Sequence, residues 1–515
     1  DVLLRVEKSS ALGTWSYEVA DTKLAQETRG GTILQLCLYS DLVGQIQGSV
    51  PEKAYVITPE TDFTPQEYRI ADYSAYYRRV KRQLEQSVDA QQSAATYPDP
   101  NAHCDVCRWS VECDRKRRAD DHLSLVAGIS TGQIKQLQCR EVPTTTALAE
   151  MQVPLPWKPD RGSVQSYIKI HHQARIQVAG RKAGHILFED LPVEAGTGLA
   201  LLPAPSAGDI FFDLEGDPFV PGGGREFLFG YAFRSPDDAM NYNGTWCLTA
   251  EEEKQTFEAF IDFVVERRQQ YPDLHIYHFA PYEPAALKRL MGRYATRAED
   301  LDQLLRNMVF VDLYAVVRNA VRVSVESYSI KKLEPLYGFT REAALPDVGP
   351  TMARLQACLE LEDVGSIDNK DKQLVTAYNK DDCLSTAHLR DWLEERRQQL
   401  VAQGQDIPRP ALLEQEASEN LKEWEARVQE LVQRLTADVP ADVAERTPEQ
   451  HARWLLAYSL DWKRREDKAA WWEFFRLRDL PDEELFEERA AVAGLKFVKE
   501  IERARTRITE SYSFP

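Results

Sequence analysis

Two acids stand two residues apart at the end of an apolar run, Ile210-Phe211-Phe212-Asp213-Leu214-Glu215. On a strand that spacing sends both side chains to one face, where they repel each other unless a divalent cation lies between them. Glu283 follows Ile276-Tyr277-His278-Phe279-Ala280-Pro281-Tyr282, and Tyr378 and Asp382 share a helix face in Tyr378-Asn379-Lys380-Asp381-Asp382. These are groups that hold a metal or orient a water. A second set stands near the start: Asp21 and Lys23, again two apart, then Gln35 and Tyr39 at helical i, i+4 spacing. Carboxylates for Mg²⁺ or Mn²⁺, with a cation to assist water or steady a pentavalent phosphate, are the parts of a metal-dependent phosphodiesterase. A third set is Cys104, Cys107 and Cys113, spaced C-x₂-C-x₅-C, as thiolates are when they take three corners of one iron–sulfur cube or one zinc.

The chain that must position these groups has 515 residues, enough for about three or four domains at roughly 150 residues each. Hydrophobic residues make up 43% and charged residues 28%, which fits a folded chain with ample core material. With 63 basic and 82 acidic residues the net charge is -19, so the overall field repels a polyanion. Nucleic acid would need metal ions or local basic runs, and two such runs exist: Arg78, Arg79, Lys81 and Arg82, then Arg115, Lys116, Arg117 and Arg118. No apolar run is long enough to span a membrane, no secretory signal is visible and no P-loop is present, so a cytoplasmic protein that does not itself hydrolyse ATP is expected. The first residue is Asp1, with a strand pattern already under way, which suggests that the natural N-terminus lies upstream. Eight cysteines are too few for a disulfide scaffold, and Cys37, Cys139, Cys247, Cys358 and Cys383 read as buried free thiols.

Pattern and punctuation predict an α/β multidomain chain. Strands are expected at Val2 to Val6, Thr14 to Ala20 and Lys53 to Ile57, with helices at Thr32 to Val43 and Pro65 to Ser87. Two short helices around a turn follow Gly128, with a weak likeness to a helix-hairpin-helix, and Ser163 to Arg181 reads as a longer helix. The Pro- and Gly-bearing segment Pro192 to Gly208 marks a boundary. Beyond it come strands at Ile210 to Leu214, Phe227 to Phe233, His275 to His278 and Val309 to Val311, and helices at Ala250 to Gln270, Pro284 to Gly292 and Asp371 to Ala402. Beyond Pro408 an all-α region is expected. The domains are therefore drawn at 1–125, 126–207, 208–403 and 404–515.

Asp1, Asp21-x-Lys23 and Gln35-x-x-x-Tyr39 together resemble the RecB-like branch of the PD-(D/E)XK nucleases. That resemblance implies a restriction-endonuclease-like domain in which Asp1 and Asp21 bind metal, Lys23 is catalytic, and Gln35 and Tyr39 support the site. The cysteines at the end of such a domain resemble those of iron–sulfur nucleases, implying a [4Fe-4S] cluster whose fourth cysteine would lie upstream. The alternative is Zn²⁺ with His103 or His122 as fourth ligand.

Asp213-x-Glu215, then His278 and Glu283 five residues apart, then Tyr378-x-x-x-Asp382, resemble the three motifs of DnaQ-like, DEDD-type exonucleases on a ribonuclease H fold. Asp213, Glu215, Glu283 and Asp382 would then bind metal and Tyr378 would orient the water. Glu283 stands where that family has aspartate, and His278 where it has asparagine. Asp312 reads as a structural or substrate-side acid. The order of parts resembles the N-terminal half of bacterial nuclease–helicase fusions. This implies hydrolysis of DNA, single-stranded or unwound, beside a helicase in repair or antiviral defence. The other readings are an inactive nucleic-acid-binding scaffold and an RNA-processing exonuclease that uses only the DEDD-like site.

Overall fold

The computed structural model describes residues 2–513 except 26–27, 59–62, 90–96, 102, 105–106, 161, 236, 238, 411–418, 441–442, 465, 468–473, 475–476, 479, 481–484, 486–487, 489 and 505–506. The chain separates into two compact units, Asp1–Asp99 and Pro100–Pro515.

The first unit runs β1 (Val2–Val6), β2 (Ser16–Thr22), α1 (Gly30–Gln47), β3 (Lys53–Ile57), β4 (Gln66–Arg69) and α2 (Ile70–Asp89). Its sheet has the order β1-β2-β3-β4. β2 and β3 are parallel, which requires a crossover, and α1 supplies it. Alternation in β2 and β3 turns Val19, Ala54 and Val56 toward Ile33, Leu36 and Cys37 of α1, with Ile70 and Tyr77 of α2 closing the core. The helix expected from Pro65 starts only at Ile70, because Gln66–Arg69 pairs with β3 as an edge strand.

The second unit opens with helices α3 (Ser110–Ala119), α4 (Thr131–Cys139), α5 (Thr145–Glu150) and α6 (Val164–Ala183). Ser130, Thr144 and Ser163 cap α4, α5 and α6 through side-chain oxygens. Leu123, Leu137, Leu148, Tyr167 and Ile170 are among the residues of their shared core.

A larger α/β body follows. Its elements are β5 (Phe188–Asp190), β6 (Ile210–Asp217), β7 (Arg225–Arg234), β8 (Met240–Trp246), α7 (Ala250–Gln270), β9 (Ile276–His278), α8 (Tyr282–Tyr294), α9 (Ala298–Arg306), β10 (Phe310–Asp312), α10 (Leu313–Ala320), β11 (Val321–Val323), α11 (Ile330–Leu333), α12 (Leu345–Glu360) and α13 (Asn369–Ala402). The five-stranded sheet has the order β10-β9-β6-β7-β8. β6, β7 and β8 form an antiparallel meander, while β9 and β10 run parallel to β6. One face of the sheet packs Ile210, Phe212 and Phe229 against Phe257, Phe260 and Leu287 of α7 and α8. The other packs Phe211, Ala232 and Tyr277 against Cys383, Ala387 and Leu393 of α13. β5 pairs with β11, and Leu199 and Leu202 enter the same core.

The C-terminal stretch holds α14 (Glu419–Thr436) and α15 (Pro448–Ser459), then a hairpin of β12 (Lys496–Ala504) and β13 (Arg507–Ser513). This corrects the expectation of an all-α region. The frequent Glu, Lys and Arg of the hairpin read as helix, but pairing satisfies its backbone in extended form with two register shifts.

Candidate active site

Strand geometry brings the first acids together. Asp213 and Glu215 leave β6 on the face that carries Phe211, so they meet α13. Opposite Asp213 in the ladder is Gly230, and the missing side chain there makes room for Asn379 of α13. A Cβ on Gly230 would fall 1.5 Å from Asn379 Oδ1. Asn379 is fully buried; its Nδ2 donates to Asp213 Oδ2 at 2.7 Å, and its Oδ1 accepts from the Tyr242 hydroxyl at 2.8 Å. Further along the helix Arg390 makes a buried ion pair with Asp209, the residue before β6. Strand and helix are thus joined by polar contacts at two points.

One helical turn beyond Tyr378, Asp382 completes a set in which one ligand atom each of Asp213, Glu215 and Asp382 lies within 4.8 Å of the others. Such a set fits a divalent cation in its donor atoms, partial burial and mutual repulsion. Burial first, then the charges of Asp382, Glu215 and Glu283, push Asp213 well above the ordinary carboxylate range. Burial followed by Asp382 does the same to Glu215. Basic groups approach from Asp382's side. Arg341 Nη2 donates to Asp382 Oδ1 at 2.6 Å and also grips Glu334. Lys331 Nζ donates to the Tyr378 hydroxyl at 2.6 Å and lies 3.8 Å from Asp382 Oδ2. Burial keeps the Tyr378 phenol protonated, so it can orient a water but not deprotonate one.

Glu283 lies nearby, buried in the first turn of α8, but outside the converging set. Among the described residues its Oε2 has no hydrogen-bond partner; it lies 3.6 Å from His278 Nδ1, which contacts the Ala280 carbonyl at 2.6 Å. Burial raises Glu283, with His278 opposing it. Tyr282 is fixed by donating to Glu226. Asp312 accepts from the amides of Ala280 and Tyr314, a structural role that caps α10 and secures the end of β9.

In the first unit the expected residues also touch. Lys23 Nζ lies 2.6 Å from Asp21 Oδ2 and donates to Gln35 Oε1 at 3.0 Å, while Gln35 Nε2 donates to the Tyr39 hydroxyl at 2.8 Å. Burial works against the Asp21 charge, yet its contacts with Lys23 help hold the carboxyl below its ordinary range. Asp1 lies outside the described residues. Cys104, Cys107 and Cys113 are half-buried free thiols, and among the described residues they do not form a converging ligand set. His122 is buried with both ring nitrogens engaged, by Ser124 and Gln138, so it is poorly suited as the fourth ligand; His103 is exposed. Cys37 lies in the core of the first unit.

The basic runs differ. Arg78, Arg79 and Arg82 are exposed on α2, and Lys81 pairs with Asp41. Arg115 pairs with Glu112, Lys116 with Asp120, Arg117 with Asp114, and Arg118 with Asp114 and Glu326. Local acids therefore neutralise the second run, which weakens it as a phosphate track.

Sequence reasoning missed Asn379, Gly230, Tyr242 and Arg341. Asn379 adjoins Tyr378 in the motif, but the partners that give it a role come from other elements. Among the described residues no helix is long and apolar enough to cross a membrane. Residues 210–394 match a family model described as RNase_H superfamily. No curated protein and no solved structure matches the chain. The matched span begins at the first residue of β6 and ends within α13, the two elements that carry the acidic set, and these residues form a ribonuclease H-like domain.

Proposed function

We propose that the ribonuclease H-like domain is a Mg²⁺- or Mn²⁺-dependent nuclease acting on single-stranded or unwound DNA. The observation that carries the reading is the convergence of half-buried Asp213 and Glu215 with buried Asp382, mutually repelling, on a face built by β6 and α13. A bound divalent ion would polarise the phosphate and ready a water for attack. The chain's own groups do the rest. Asn379 fixes the Asp213 carboxylate through one oxygen, Arg341 steadies Asp382, and the Tyr378 hydroxyl aligns the water. Water oxygen bonds to phosphorus as the ester P–O bond breaks, the water gives up a proton and the leaving oxygen gains one.

A second centre of the RecB-like kind, with its iron–sulfur cysteines and a helicase partner, is the accompanying proposal. The linked contacts of Asp21, Lys23, Gln35 and Tyr39 support it. The test is cleavage of end-labelled single-stranded DNA and RNA with Mn²⁺ by the full chain. Asp213→Ala is expected to reduce cleavage by at least about a hundredfold, with the fold retained by circular dichroism. Tight binding without cleavage in the unaltered chain would favour the scaffold reading, and preference for RNA the RNA-processing one.

A further inference from the structure

We propose that this site works with one divalent ion and that Lys331 supplies the second positive charge. The inference rests on the metal-dependent reading above. Three carboxylates converge, enough to hold one ion with positions left for water and substrate.

Glu283, the acid that would help to hold a second ion, stands apart from that set. It is buried with His278, whose Nδ1 is 3.6 Å from its Oε2. The carboxylate therefore already faces a buried group that can carry positive charge. Lys331 stands beside Asp382. Its Nζ lies 2.6 Å from the Tyr378 hydroxyl and 3.8 Å from Asp382 Oδ2, on a side chain still 36% exposed.

The charge count favours this arrangement. Three carboxylates and one divalent ion leave one negative charge, which Lys331 cancels; Arg341 is already matched by Glu334. A second divalent ion beside Asp382 would have to displace the ammonium or sit against it. An ammonium has three rotatable donors, so Lys331 can hold Tyr378 with one and reach a non-bridging phosphate oxygen with another.

The test counts Mn²⁺ bound to the full chain and to Asp213→Ala by titration calorimetry, which separates this site from any other. The expected difference is one ion per chain. Lys331→Ala is expected to keep that ion with equal or tighter affinity while cleavage falls at least tenfold, and Lys331→Arg to recover part of it. If Lys331→Ala does not fold by circular dichroism, Lys331→Met, which keeps the stem, takes its place. A difference of two ions in a chain that cleaves would overturn this inference and leave the nuclease reading standing. Cleavage within twofold of normal in Lys331→Ala would also overturn it. A difference of no ions would remove both.

Discussion

Residues 21–39 and residues 213–382 each bring together acid, lysine and tyrosine, yet they balance charge in opposite directions. In the first unit the described acid, Asp21, is met at 2.6 Å by Lys23, which is held in turn by Gln35 and Tyr39. In the ribonuclease H-like domain three acids face one another, and the basic side chains Lys331 and Arg341 both approach Asp382. Asp21 lies below its ordinary pKa, while Asp213 and Glu215 lie above theirs. The residue types are alike, so composition does not separate the two places. The sign of the electrostatic imbalance does: among the described residues, the second place holds the acidic set that could receive a cation.

The change expected to break this comparison most severely is Gly230→Ala. Its new Cβ would meet Asn379 Oδ1 at 1.5 Å, so Asn379 must leave Asp213. Overpacking and the loss of buried hydrogen bonds together should cost about 3 kcal/mol or more, read by urea unfolding, and Mn²⁺ affinity should fall with it. Unchanged stability and affinity would show that the notch does not position Asp213.

That contact also shows where sequence reading ends. Asp213, Glu215 and Asp382 were legible because strand and helix periods put them on predictable faces. Asn379 was not, because its partners Asp213 and Tyr242 are 166 and 137 residues away. β8 was missed for a related reason: Asn241, Asn243 and Gly244 are poor strand formers, and pairing with β7 holds them in line. The cysteine spacing was plain, but spacing alone does not state which ligand completes it, and the engagement of His122 emerges only from its packing.

A smaller effect should sharpen the comparison through pH. Carboxyls whose folded pKa is raised bind more protons folded than unfolded, so stability falls as pH rises through that range. The metal-free chain should lose stability from about pH 4.5 upward as Asp213 and Glu215 are forced to ionise, each carboxyl contributing at most about 1.4 kcal/mol for every pH unit crossed. Asp213→Asn should flatten this slope in thermal melts, and Mn²⁺ should raise the melting temperature of the unaltered chain more at pH 8 than at pH 6. A slope that Asp213→Asn leaves unchanged would contradict the imbalance.

The smallest effect on cleavage is expected in the first unit. Lys23→Met removes one partner of a buried carboxylate and should cost about 1–3 kcal/mol, partly recovered by adding Asp21→Asn. Most of the Mn²⁺-dependent cleavage should survive. Its loss in a folded Lys23→Met protein would move the chemistry to residues 21–39 and reverse the comparison.

The contacts of α13 with β6 and with the residue just before it, Asn379 with Asp213 and Arg390 with Asp209, have a mechanical consequence. A rod pinned to a plate at two separate points can neither slide along it nor roll. The acids carried by that rod and plate are therefore set before any substrate arrives.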